Sequence, residues 1–152
     1  MYLSAQDIQA LEGVRKVHFL NAQAVRINKS LGDAVGMSQL GIHQISVPPG
    51  HFSTEYHYHC YEEEAIYVLS GTGVATLGDR KQPISPGDFV GCPINGVAHD
   101  MYNDGDEPLV CLVVGQRLAQ DVTDYPRPGK RLYINSSERT LVDHDAIEHV
   151  KR

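Results

Sequence analysis

The 152 residues suffice for one domain with a real core, and 41% apolar with 21% charged residues is an ordinary globular composition. The formal net charge of −6, with no Lys/Arg-rich run, excludes a phosphate-backbone partner, so no nucleic acid is expected. The longest strongly apolar run, Leu109 to Val114, is too short for a membrane span, and Cys60, Cys92 and Cys111 form no Cys-x-x-Cys pair, which points to reduced thiols in a cytoplasm.

The N-terminal MYLSAQDIQAL carries Asp7 ahead of its first basic residue, Arg15, and does not read as a signal peptide. Ser4 and Asp7 have the spacing of an N-cap and its N3 acid, which predicts a short helix ended by Gly13. Val14 to Leu20 is a candidate edge strand. Asn21 to Gly36 has no clean period and predicts a loop with short extended pieces, an arm laid over a sheet edge. From there the pattern is strand, turn, strand. Gln39 to Val47 is β-like and stops at Pro48-Pro49-Gly50; Thr72 to Leu77 alternates and turns at Gly78-Asp79 into Lys81 to Ile84. Pro86-Gly87-Asp88 turns into Phe89 to Pro93, Val97 to Asn103 alternates again, and Asp104 to Glu107 closes a hairpin into Pro108 to Gly115. Short strands at spacings of about ten residues, without helical patterns between them, predict an all-β sandwich or barrel. Gln116 to Pro128 is polar and reads as irregular, Arg131 to Ile134 as one more strand, and Asp143 to His149 as a terminal helix with His144 and His149 solvated.

The stretch that carries chemistry is Gly50 to Gly71, GHFSTEYHYHCYEEEAIYVLSG. In a strand, His57 and His59 project from one face while Tyr58 takes the other. A returning strand that brings Glu64 alongside would aim a carboxylate at the same point. Two neutral nitrogens and an oxygen suit a borderline divalent ion such as Zn, Ni, Fe or Mn. Farther on, Val97, His99 and Met101 share one face by alternation, with Asp100 and Tyr102 on the other. A lone histidine there is either a hydrogen-bonded core residue or a ligand.

Read together, Gly50-x6-His57-x-His59-x4-Glu64-x6-Gly71 and Gly87-x5-Pro93-x2-Gly96-x2-His99-x3-Asn103 resemble the two motifs of the cupin superfamily. Relative to those motifs there is one extra residue between Gly50 and His57 and one between Pro93 and Gly96, both in loops. The resemblance implies a small jelly-roll β-barrel with short N- and C-terminal helices. It also implies one divalent transition metal ion (Zn, Fe, Mn or Ni) bound by His57, His59, Glu64 and His99. Glu64 keeps the motif's spacing to Gly71; Glu63 would face the other way, and Glu62 becomes an exposed loop carboxylate. Residues 1–152 then form a single cupin domain, with a barrel core at about 36–115, an N-terminal arm at 1–35 and a C-terminal extension at 116–152.

Such a site leaves open positions on the ion for a small-molecule ligand in the barrel. Same-face neighbours Ile66, Val68, Val97 and Met101, with His43 or Gln44 beyond, predict a mostly apolar lining. Cupin lyases of dimethylsulfoniopropionate carry a tyrosine two residues after the ligand glutamate, where this chain has Ile66. Sugar-phosphate isomerases of the superfamily need cationic anchors; Arg26, Lys29 and Arg117 fit by type, and as surface charges equally well. Cupin dioxygenases of small diketones, flavonols or thiols suit an apolar chamber. The expectation is therefore a metal-dependent dioxygenase, other oxidoreductase or isomerase of a small organic molecule, with a metabolite-binding or sensing module as the alternative. Cupins commonly pair, and Tyr56, Tyr58, Tyr61 and Tyr67 on an outer sheet face suggest a homodimer.

Overall fold

Short strands separated by tight turns dominate the computed structural model, which describes residues 1–151. A six-residue helix, α1 (Ala5–Ala10), opens the chain, and Ser4 and Asp7 close its N-terminus reciprocally as a capping box. It ends at Leu11, two residues before Gly13. A strand pair follows, β1 (Val14–His18) and β2 (Asn21–Ser30), then one helical turn, α2 (Leu31–Ala34), and β3 (Leu40–Val47). After the Pro48-Pro49-Gly50 break come β4 (Tyr58–His59), β5 (Glu64–Ser70), β6 (Gly73–Leu77), β7 (Arg80–Ile84) and β8 (Phe89–Cys92). The remainder is β9 (His99–Tyr102), β10 (Leu109–Gln116), β11 (Gln120–Tyr125), β12 (Lys130–Asn135) and β13 (Glu138–Asp143).

Among the described residues these strands form three sheets, in the orders β1-β2-β3-β10-β5-β8, β13-β12-β11-β4 and β7-β6-β9. The fold is all-β with short helices, as expected, but the ladders do not close into one continuous jelly-roll barrel. Isolated bridges, Phe52 to Tyr102 and His57 to His99, tie the segment before β4 to β9. Gly71 shows how tightly the turns are drawn. Its φ is +77°, and a Cβ there would lie 2.3 Å from the Pro108 carbonyl oxygen, so a side chain is excluded on two counts.

The apolar core sits between the sheets. Val47, Val68, Leu109 and Cys111 are wholly buried, and Cys111 of β10 stands between Ile45 of β3 and Val68 of β5. Each such aliphatic side chain contributes about 1.5–3 kcal/mol relative to exposure.

Several sequence expectations need correction. Asn21 to Gly36 is not an irregular arm: β2 pairs with both β1 and β3. Gln116 to Pro128 contains β11, which joins β4 to β12. The predicted terminal helix is replaced by β13 and a single 3₁₀ turn at His144–Ala146. The cause is a two-residue turn, Ser136-Ser137, with Ser136 at φ +56°, which folds the chain back on β12. His149 is exposed as expected, but His144 Nε2 stands 3.2 Å from Asp124 Oδ1 rather than free in solvent. Val97 is 61% exposed, because alternation begins only at His99, where β9 starts. Asp100, expected outside, is buried and paired with Arg127. Of the four tyrosines, Tyr61 and Tyr67 are exposed, whereas Tyr56 donates to the Gly78 carbonyl beneath the Arg127 guanidinium. No described helix is long and apolar enough to cross a membrane.

Candidate metal centre

Backbone pairing brings the first two imidazoles together. His57 N–H donates to the His99 carbonyl at 3.1 Å and His99 N–H returns to the His57 carbonyl at 2.8 Å, which brings the ring centroids to 4.7 Å with the planes tilted by 48°. Glu64 opens β5 opposite Gly115 of β10, which leaves it room toward the same point. Ligand atoms of His57, Glu64 and His99 all lie within 4.8 Å of one another, and His99 Nε2 is 3.1 Å from Glu64 Oε2. His59 stands beside this trio, its ring nearly perpendicular to that of His57 at 5.0 Å, without being part of it.

The chemistry of these donors fits a divalent ion. Burial above all, with the charge of His99, pushes the His57 pKa down to about 3, so its ring is neutral. Its Nδ1–H donates to the Glu55 carbonyl at 2.8 Å, which leaves Nε2 with a free lone pair. Burial works against charge on Glu64, but the His99 hydrogen bond and the surrounding imidazoles outweigh it and hold the carboxyl at about 2, ionised. His99 is opposed by burial, then raised to about 10 by Cys92 and Glu64. An ion bound here must therefore displace a proton.

His59 is oriented from behind by a residue that the sequence reading missed. Asp121 of β11, with a fully buried side chain, places Oδ2 2.6 Å from His59 Nδ1, and its Oδ1 accepts from Tyr61 N–H at 3.1 Å. A carboxylate on Nδ1 keeps the proton there and turns Nε2 outward, the usual arrangement behind a ligating imidazole. Glu62 is not the exposed loop carboxylate expected. Its side chain is 16% exposed, accepts from Leu118 N–H at 2.7 Å and lies 3.9 Å from His59 Nδ1. The only hint was composition: QDVTDY buries Asp121, Thr123 and Asp124 in one short strand.

A cavity of about 390 Å³ opens over these groups, and its lining is more polar than expected. Ile66 and Met101 do line it, but Val68 belongs to the core and Val97 to the surface. Arg26, Asn28 and Arg117 join the expected His43 in the wall. Arg26 is no surface charge; its Nη1 donates to the Ser53 carbonyl and its charge faces Glu64 and Tyr125. Lys29 instead donates to the Ile8 and Gln9 carbonyls at the end of α1.

Fold and site together define a small all-β protein with a cluster of two buried histidines and a half-buried glutamate able to hold a divalent ion. The family described as Cupin domain matches residues 43–115. A solved structure from Acidithiobacillus ferrooxidans, provisionally described as a sugar phosphate isomerase, is 58% identical, covers 99% of this chain and 97% of its own, and superposes with a TM-score of 0.97. Another, from Silicibacter pomeroyi and described as a sugar phosphate isomerase from a cupin superfamily, is 26% identical over 99% of this chain and 97% of its own, with a TM-score of 0.83. A predicted oxalate decarboxylase from Thermotoga maritima shares the fold alone, at 22% identity over 78% of this chain and 100% of its own, with a TM-score of 0.61. No curated protein matches the chain. The chain belongs to the cupin superfamily.

Proposed function

We propose that the protein is a divalent-metal-dependent isomerase of a small phosphorylated sugar. The observation that carries this reading is the His57–Glu64–His99 cluster at a cavity that also presents the cations Arg26 and Arg117. The two related structures described as sugar phosphate isomerases support the substrate class. His57, His59, Glu64 and His99 would hold the ion, which supplies Lewis-acid polarisation of a substrate oxygen. His57 would offer Nε2 because the Glu55 carbonyl holds its other nitrogen, and His59 would offer Nε2 because Asp121 holds its Nδ1. Glu64 adds one negative charge, so a divalent site keeps a net positive charge and attracts an anionic substrate. Arg26, fixed by Ser53, turns a guanidinium toward Glu64 where negative charge would grow on the sugar. Ile45, Ile66, Met101 and Val113 make the apolar part of the wall.

The test begins with protein purified without chelator. Elemental analysis should find about one transition-metal ion per chain. Proton NMR in D₂O on a panel of aldose and ketose phosphates should show interconversion with deuterium entering at the carbon beside the carbonyl. Chelation should abolish it, and added Mn, Fe, Ni or Zn should restore it. Oxygen uptake with diketones or thiols would favour the oxygenase reading instead. Binding of a phosphosugar without turnover would favour the binding module.

A further inference from the structure

The cavity wall opposite the cluster carries a second, unassigned group of donors. Gly41 of β3 pairs with Gly115 of β10, and Gly115 pairs with Glu64 of β5. Residues directly opposite on neighbouring strands face the same way, so Gly41, Gly115 and Glu64 form one row toward the cavity. Two of the three lack side chains, and both glycines line the cavity. The result is a bare floor leading away from the cluster.

At the far end of that floor, donors converge over Gly41. A Cβ on Gly41 would lie 3.1 Å from His43 Nε2, 3.2 Å from Arg117 Nε and 3.6 Å from Arg117 Nη2. Arg117 gives Nη1 to Asp33 of α2, which leaves its Nε–Nη2 edge over Gly41, where His43 Nε2 also lies. That edge is a planar two-donor fork, the geometry that grips two oxygens of a phosphate. His43 Nδ1 is engaged from behind, 3.1 Å from Ser30 Oγ and 3.3 Å from Asn28 Nδ2. Asn28 Nδ2 can only donate, and with Nδ1 accepting from it Nε2 carries the hydrogen over Gly41. Burial and the charges of Arg117 and Lys16 lower the His43 pKa, which keeps this neutral donor form.

Resting on the isomerase reading, we propose that Gly41, His43 and Arg117 form the seat for the substrate's phosphate. The seat lies two strand spacings, about 10 Å, from the Glu64 column. That span suits an open-chain sugar monophosphate lying across the glycine floor, with its carbonyl end at the His/Glu cluster.

Inorganic phosphate is the probe, titrated by calorimetry into protein carrying the metal it retains. Arg117→Gln and Gly41→Val, which fills the floor, should each weaken phosphate binding by about tenfold or more, the worth of a lost charge-assisted pair. Both should keep the wild-type metal content, because neither residue touches the cluster. For a phosphosugar, the affinity loss should exceed that for the same sugar without phosphate. The seat is overturned if both variants bind phosphate as the wild type does, or if phosphate binding follows the metal and vanishes on chelation with Arg117 intact. Should the wild type hold no metal, the isomerase reading fails by itself. The same titration without ion still decides the seat: phosphate lost in both variants supports it, and phosphate retained refutes it.

Discussion

The two ends of the same strands carry opposite kinds of side chain. At one end β3, β5 and β10 offer Val47, Val68 and Leu109, all wholly buried. At the other they offer His43, Glu64 and Gly115, which line the cavity beside His99 of β9. One set of pairing registers thus holds up both regions. Pairing and core burial at the sealed end fix the backbone, so the open end can hold polar groups that add little to stability and a floor without side chains. The cost of the arrangement is visible at His57, which is buried, and Glu64, which is half-buried, each kept in one protonation state by its surroundings.

The division can be broken from either side. Leu109→Ala at the sealed end should cost the most, about 2–5 kcal/mol, because Leu109 is wholly buried and its removal leaves a cavity beside Gly73. Denaturant unfolding measures it, and metal content per folded molecule should stay at the wild-type level. A parallel loss of metal would show that the two ends are not separable. Asp121→Asn should do the reverse: metal affinity falls by about 10–100-fold with the fold retained, since the His59 ring loses the carboxylate that orients it. Competition with a chromophoric chelator reads this out, and an unchanged affinity would remove Asp121 from the account.

The smallest effect concerns His18, at the turn between β1 and β2 and in the cavity wall. Burial first, then the Arg26 charge, pushes its pKa from 6.5 down to about 4. Between those values the unfolded chain binds a proton at His18 that the folded protein refuses, so the His18 penalty is absent above pH 6.5 and grows as pH drops toward 4. His18→Gln should make that fall shallower, though not flat, because burial also holds His57 neutral through the same window. An unaltered slope in acid denaturation of the metal-free protein would contradict the assignment.

What the sequence showed and what it hid follow the same division. Strands that turn apolar residues to the core, such as β3, β5 and β10, were legible as short apolar or β-like runs bounded by turns, and the four ligand candidates from two separated motifs. The hidden strands are those that turn polar residues inward. β2 buries Asn28 and lends Arg26 to the cavity, and β11 buries Asp121 and Thr123. A binary pattern inverts when the face it covers is a site rather than a core, so both strands looked like loop. Asp100 was misplaced for the same reason, its burial compensated by Arg127 from beyond the motif. The donors over Gly41 were foreseen in part: Arg117 by type and His43 by face, but not their meeting over one glycine, which depends on cross-strand register.

The central claim is that three imidazoles and one carboxylate grip one ion, although the side chains by themselves bring only His57, Glu64 and His99 within 4.8 Å and leave His59 alongside. X-ray absorption at the edge of the retained metal tests it directly, on the wild type and on His59→Ala. The account predicts a nitrogen and oxygen shell with scattering from three imidazoles in the wild type and from two in the variant. A shell without histidine scattering, or a protein that neither retains nor takes up any divalent ion, would contradict it.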